Sequence, residues 1–218
     1  MTPVKLVASL VLAGVLAGAA AAAVTNDPKK DIKPAVQARA KAISVKRSDL
    51  PGTSWTATPA GQQGKTPQCS YYNPNQSHLT ENGDFDSPEF KAPNGSYVSS
   101  TVGIFVSPQQ AKTGYLAVVK PALPRCLAEL IAKSSKPGVI TVTTAGPLGF
   151  KQYNDRSAAF RVAFKVKSGS AKVPAFIDVV AINRGAVDTA IFFGSVLNPP
   201  TAAFEQRIVD RVAARIAS

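Results

Sequence analysis

The chain has 218 residues, 45% of them hydrophobic and 17% charged, enough for one domain with a real core and too few for two comfortable ones. With two cysteines and a single histidine it cannot assemble a closed four-ligand zinc site. Its formal net charge is +12, yet it has no aromatic-interleaved basic motif, recognition-helix pattern or zinc finger, so nucleic-acid readout of the familiar kinds is excluded.

Residues 1–23 begin with a short segment carrying Lys5, continue through an apolar stretch over 6–16 and end in small residues over 18–23, the pattern of a secretory signal peptide. The rival is an uncleaved anchor, because 6–24 is long enough to span hydrocarbon. Alanine and glycine are only weakly apolar, and Lys29, Lys30 and Lys33 outnumber Lys5 on the exported side, so cleavage is favoured. No cysteine lies near the end of the segment, which argues against a diacylglycerol anchor. Loss of the leader with Lys5 takes the net charge from +12 to +11. Outside the cell membrane that charge points to anionic lipid head groups or acidic wall polymers as a partner, or simply to solubility.

Residues 24–34 are mostly polar, hold Pro28 and Pro34, and read as a linker to a single domain over 35–218. A first helix is predicted over 35–45, with Val36, Ala40 and Ile43 on one face. Asp49-Leu50-Pro51-Gly52 then punctuates, and Trp55 begins a short strand. The stretch 59–95 is rich in Gln, Asn, Pro, Ser and Gly without sustained periodicity and reads as a long loop. Alternation over 97–106 predicts a half-buried strand. Ser107, Pro108 and Gln110 mark the next helix, as cap, first-turn proline and partner in a capping box.

After Pro121 and Pro124, a further helix carries Cys126, Leu127, Leu130 and Ile131 on its buried face. Strands follow over 139–144, 158–167, 173–183 and 187–193, separated by glycine-containing turns that suit an antiparallel meander. The third of these is apolar on both faces apart from Asp178, as a central strand covered on both sides would be. Thr201 caps a last amphipathic helix whose core stripe is Phe204, Ile208, Val212 and Ile216. The layout is α+β, a curved antiparallel sheet with helices packed on it.

Cys69 and Cys126 both lie in the exported part, where the compartment is oxidising and pairing leaves no thiol over. Their disulfide would pin the polar loop to the core and stabilise the fold by about 4 kcal/mol on the chain-entropy account. Two buried free thiols are the alternative.

The order of these landmarks resembles a family of exported actinobacterial sensor-like domains, which includes the extracellular sensor domain of a mycobacterial Ser/Thr kinase and free-standing secreted relatives. The residues that carry the resemblance are Leu50-Pro51-Gly52 leading to Trp55, Cys69 in the polar loop, Cys126 on a helix after two prolines, and Ile182-Asn183-Arg184-Gly185-Ala186-Val187. It covers about residues 40–216. The resemblance implies a helix-on-sheet fold with a broad cleft for a ligand, and it implies no catalysis. The chain departs from the kinase sensor in having one pair of cysteines where that domain has two disulfides, and in having no kinase. A looser resemblance, to small mycobacterial exported lipoproteins of similar fold, fails on the missing lipid-attachment cysteine.

Residue chemistry adds little that is catalytic. His78 stands in the polar loop with no G-x-S-x-G in the sequence, so a Ser-His-Asp arrangement lacks its nucleophile elbow. Glu81, Asp84, Asp86 and Glu89 form an acidic cluster around Asn82-Gly83, but the spacing matches no EF-hand and the default is a charge-balanced loop. Asp178 and Asp188 sit in apolar strand context and must face water or find a partner such as Arg161 or Lys165; either could instead line a pocket. Trp55, Tyr71 and Tyr72 are the aromatic candidates for a ligand cleft, with core packing the favoured alternative for Trp55. Arg207, Arg211 and Arg215 recur every fourth residue and make a basic stripe, either a solvated face or an anionic-surface contact.

These readings converge on a secreted, envelope-associated, non-catalytic binding module that holds a small apolar or amphiphilic ligand between sheet and helices or contacts an anionic envelope component by its basic faces, with no cofactor and no metal. The alternatives are a hydrolase of unrecognised type, or a structural or partner-binding accessory protein.

Overall fold

A computed structural model describes residues 26–60, 66–153 and 155–217, and the signal peptide expected over 1–23 lies outside them. In chain order the elements are β1 (Lys29–Lys30), α1 (Pro34–Ile43), a 3-10 turn (Arg47–Asp49), β2 (Thr56–Thr58), β3 (Thr80–Asp86), β4 (Glu89–Lys91) and β5 (Tyr97–Phe105). There follow α2 (Pro108–Val118), α3 (Leu123–Lys133), β6 (Ile140–Pro147), β7 (Arg156–Ser168), β8 (Ala171–Arg184), β9 (Val187–Val196) and α4 (Ala202–Ala217). The strands form one nine-stranded sheet in the order β1-β3-β5-β9-β8-β7-β6, with β4 also on β5 and β2 on β4. Every pairing is antiparallel except β1 with β3. The α+β class read from the sequence is the class observed, with a mixed sheet in place of a purely antiparallel one.

Alternation along the strands sorts the core into two layers. Val98, Val102, Val180, Ile182, Ile191 and Phe193 face α1 and α4, meeting Ile43, Ile208, Val212 and Ile216. Val162, Phe164, Val166 and Ile177 face the other way, against Ala128 and Ile131 of α3. β8 is thus covered on both sides, which is why its sequence is apolar at nearly every position. The long β7–β8–β9 meander needs only short turns, and Gly169 and Gly185 supply the positive φ values of 63° and 54° that those turns require.

Two differences from the sequence reading have physical causes. The stretch read as a long loop contains β3 and β4, which have too few apolar side chains to show a period. β3 is held instead by its ladder with β5 and by Gln37 of α1, whose amide bonds both the carbonyl (2.6 Å) and the N–H (2.8 Å) of Asp84. The helix comes so close that a Cβ on Gly83 would stand 2.7 Å from the Val36 carbonyl oxygen. Part of the stretch read as a linker is likewise laid on the sheet. Lys29 N–H donates to the Leu79 carbonyl, Lys33 N–H donates to that of Asn82, and Lys30 grips both Glu81 and Asp84.

The capping box at α2 is only half made. Ser107 Oγ accepts from Gln110 N–H at 3.2 Å, but the Gln110 side chain accepts from the Thr80 N–H at 2.7 Å, tying α2 to the start of β3 instead of to its own cap. The Cys69–Cys126 disulfide is present, with Cα atoms 5.8 Å apart. It fastens the segment before β3 to a fully buried position on α3.

Candidate functional site

Where β9 runs out into α4, three segments distant in sequence enclose an open groove of about 650 Å³. Pro51, Ser54 and Trp55 form one wall, the turn between β4 and β5 (residues 92–96) a second, and the connector 194–201 the floor, with Phe204 from the first turn of α4 behind it. Trp55 is fixed at both ends: its indole Nε1–H donates to the Pro51 carbonyl at 2.9 Å, and its ring stacks on Phe204 with centroids 5.9 Å apart and planes at 5°. Phe204 in turn meets Phe193 edge-on at 6.0 Å, so the aromatic wall is anchored in the core.

The polar residues of the groove brace its walls. Ser195 Oγ donates to the Asn198 carbonyl (2.8 Å), Thr201 Oγ1 accepts from Phe204 N–H (3.3 Å), and Asn94 Oδ1 accepts from Ser96 N–H (3.0 Å). The side chains of Ser54 and Asn198 take part in no hydrogen bond among the described residues and are both exposed. Leu197 has a φ of 73°, the left-handed region that a branched side chain adopts only at a cost, and its side chain is left 51% exposed over the groove. Among the described residues no charged side chain lines the groove, although the chain carries a net charge of +12.

Of the residues read from sequence as ligand-site candidates, Trp55 alone lies in this groove. Tyr72 is buried beside the disulfide on the α2–α3 side and its hydroxyl donates to the Val118 carbonyl at 2.5 Å. Tyr71 is exposed nearby with the Arg125 guanidinium 4.4 Å above its ring. Asp178 and Asp188 face opposite sides of the sheet. Asp178, fully buried, is held by its register partner Arg161 through bonds of 2.6 and 2.5 Å. Asp188 accepts from Asn183 at 2.6 Å, and burial pushes its carboxyl well above the usual range.

Beside the Asp178–Arg161 pair lies Glu205 of α4, 1% exposed. Burial, then the neighbouring Asp178 carboxyl, raises its pKa to about 9, and its Oε1 has no hydrogen-bond partner.

The three arginines of α4 separate in role. Arg215 chelates Asp49 with bonds of 2.9 and 2.8 Å and donates to the Ile43 and Ser44 carbonyls, closing the C-terminal end of α1. Arg211 donates to the Ser48 carbonyl at 2.5 Å. Arg207 remains exposed. Three acidic residues of β3 and β4 are likewise occupied, Glu81 and Asp84 by Lys30 and Glu89 by Lys91 at 3.0 Å, whereas Asp86 Oδ1 is buried without a hydrogen-bond partner among the described residues. Burial raises Asp86 to about 6. His78 is exposed in the turn before β3.

Pro51, Thr201 and Phe204 were read from the sequence only for structural roles, and the remaining groove residues were missed because nothing local marks them. The available signals were Asn198-Pro199-Pro200 and Asn94-Gly95, which announce turns but not that the turns face one another.

Two solved structures are similar in fold. One is the extracellular domain of PknH from Mycobacterium tuberculosis, at 10% identity and a TM-score of 0.41, covering 85% of this chain and 99% of that one. The other is LpqN, described as involved in cell envelope biogenesis of Mycobacterium tuberculosis, at 10% identity and a TM-score of 0.30, covering 74% of this chain and 75% of that one. Both likenesses concern the fold and carry nothing about ligand or activity. No protein-family model matches the chain, and no curated protein is similar to it.

Proposed function

We propose that this chain is an exported, envelope-associated, non-catalytic binding module whose ligand lies in the groove between Trp55, the 92–96 turn and the 194–201 connector. Export is supported by the leader pattern at 1–23 and by the disulfide, which needs an oxidising compartment. The observation that carries the binding reading is the strained, half-exposed Leu197 in the floor of a groove whose aromatic wall is already fixed. A fold keeps a branched side chain at positive φ and in water at a cost, and such strain clusters at ligand clamps. A non-catalytic role is supported by the character of the lining: aromatic rings, prolines, hydroxyls and amides, with no general acid, base or activated nucleophile among the described residues. The excess of positive charge would hold such a module near an acidic wall or anionic head groups, with Arg207 on the exposed side of α4.

Native mass spectrometry of the oxidised chain exported from an actinobacterial host tests this reading. The wild-type protein should carry a co-purifying mass that a Ser54→Trp variant, with the groove filled, does not. A mass without any bound species from both proteins would overturn it.

A further inference from the structure

We infer that the groove takes an uncharged carbohydrate, with the apolar face of one sugar ring against the Trp55 wall and its hydroxyls toward Ser54 and Asn198. The inference rests on the groove being the binding site.

Charge excludes the first alternative. A ligand bearing phosphate or carboxylate is met by cationic side chains wherever its charge is recognised, and this chain has 25 lysines and arginines to draw on. None lines the groove among the described residues, and no acidic side chain is there to receive a cation.

Shape excludes the second. An alkyl chain gains free energy in proportion to the area it removes from water, so lipid sites are enclosed. This groove is about half open to solvent, and a chain lying in it would keep part of its surface wet.

A sugar ring suits both facts. It has one apolar C–H face, which an aromatic ring can cover, and a rim of neutral hydroxyls that stays hydrogen-bonded whether it meets protein or water. The lining supplies the matching parts: the Trp55 wall and neutral groups that both donate and accept, in the Ser54 hydroxyl and the Asn198 amide. Because Trp55 is held by Pro51 and Phe204 and the connector is braced by Ser195, little ordering remains to be done on binding.

Trp55 is the only tryptophan in the chain, so its emission reports the groove directly. The test titrates the full oxidised chain with maltoheptaose and with wall-derived neutral arabinogalactan oligosaccharides. Monolaurin serves as a neutral alkyl probe and polygalacturonate as a charged sugar polymer. A neutral oligosaccharide should change Trp55 emission saturably and independently of added salt, since no ion pair contributes. Asn198→Ala, an exposed position whose loss leaves the melting temperature unchanged, should weaken that binding about fivefold.

A saturable response to monolaurin alone would overturn the carbohydrate class while leaving the groove as the site. A response to polygalacturonate alone that salt abolishes would do the same. Silence of Trp55 toward every probe would overturn the groove reading itself.

Discussion

Glu205 makes a heavy demand on its surroundings, because a carboxyl 1% exposed and set beside Asp178 can be accommodated cheaply only when it carries a proton. Its folded pKa of about 9 lies above the 4.5 of an exposed glutamate, so its contribution to stability is complete below about pH 4.5 and is lost as the pH climbs toward 9. Thermal unfolding should show that decline. Glu205→Gln, which keeps the neutral form at every pH, should be more stable than the wild type by roughly 1–3 kcal/mol near pH 8 and little different near pH 5. Equal pH dependence in the two proteins would contradict the assignment.

Arg161 has the opposite character. Its fork completes Asp178, and Arg161→Met would strand a fully buried carboxylate, at about 3–5 kcal/mol in urea denaturation. This pair was within reach of the sequence, because the β7–β8 hairpin places Arg161 opposite Asp178 once the turn at Gly169 is recognised. The roles of Arg211 and Arg215 were not. Spacing every fourth residue tells that three arginines share a face of α4, but not that the turn after α1 lies against that face.

At the scale of elements, local signals and long-range ones part company. α2 and α4 could be read because their caps and stripes are written in adjacent residues, Ser107 with Pro108 in one and Thr201 with Ile208, Val212 and Ile216 in the other. β7, β8 and β9 could be read because each alternates or is wholly apolar. β3 could not, since it owes its place to Gln37, to β5 and to Lys30, all far away in the chain.

The connector between β9 and α4 is the element where the proposed binding groove and backbone strain coincide, and its strain is measurable. At an ordinary position glycine is the less stable replacement, by roughly 0.5–1 kcal/mol relative to alanine. At Leu197, with a φ of 73°, the order should reverse. Leu197→Gly should unfold at a higher temperature than Leu197→Ala, by the equivalent of about 1 kcal/mol. The ordinary order would show that the connector is not strained.

The whole molecule is a sheet covered by α1 and α4 on one face and by α2 and α3 on the other, with the disulfide fastening the polar segment to the second layer. The layers pack on both faces of the sheet, and the proposed groove lies at its end, where the connector, the β4–β5 turn and the Trp55 segment converge. That convergence explains how little of the site the sequence disclosed. Trp55 was identifiable as an aromatic candidate by its own chemistry. Ser54, Asn94, Asn198 and Leu197 acquire meaning only when the sheet brings residues 51–55, 92–96 and 194–204 to one place.

The most direct test of this placement is a 15N-correlated NMR titration of the oxidised chain with a water-soluble extract of actinobacterial cell wall. The single indole N–H, that of Trp55, gives one resolved cross-peak to follow. We expect that peak to move together with the amides of 92–96 and 194–201 while the rest of the sheet stays still. Shifts gathered instead around Arg207 on the outer face of α4, with the indole peak unmoved, would contradict the account and place recognition on the charged surface.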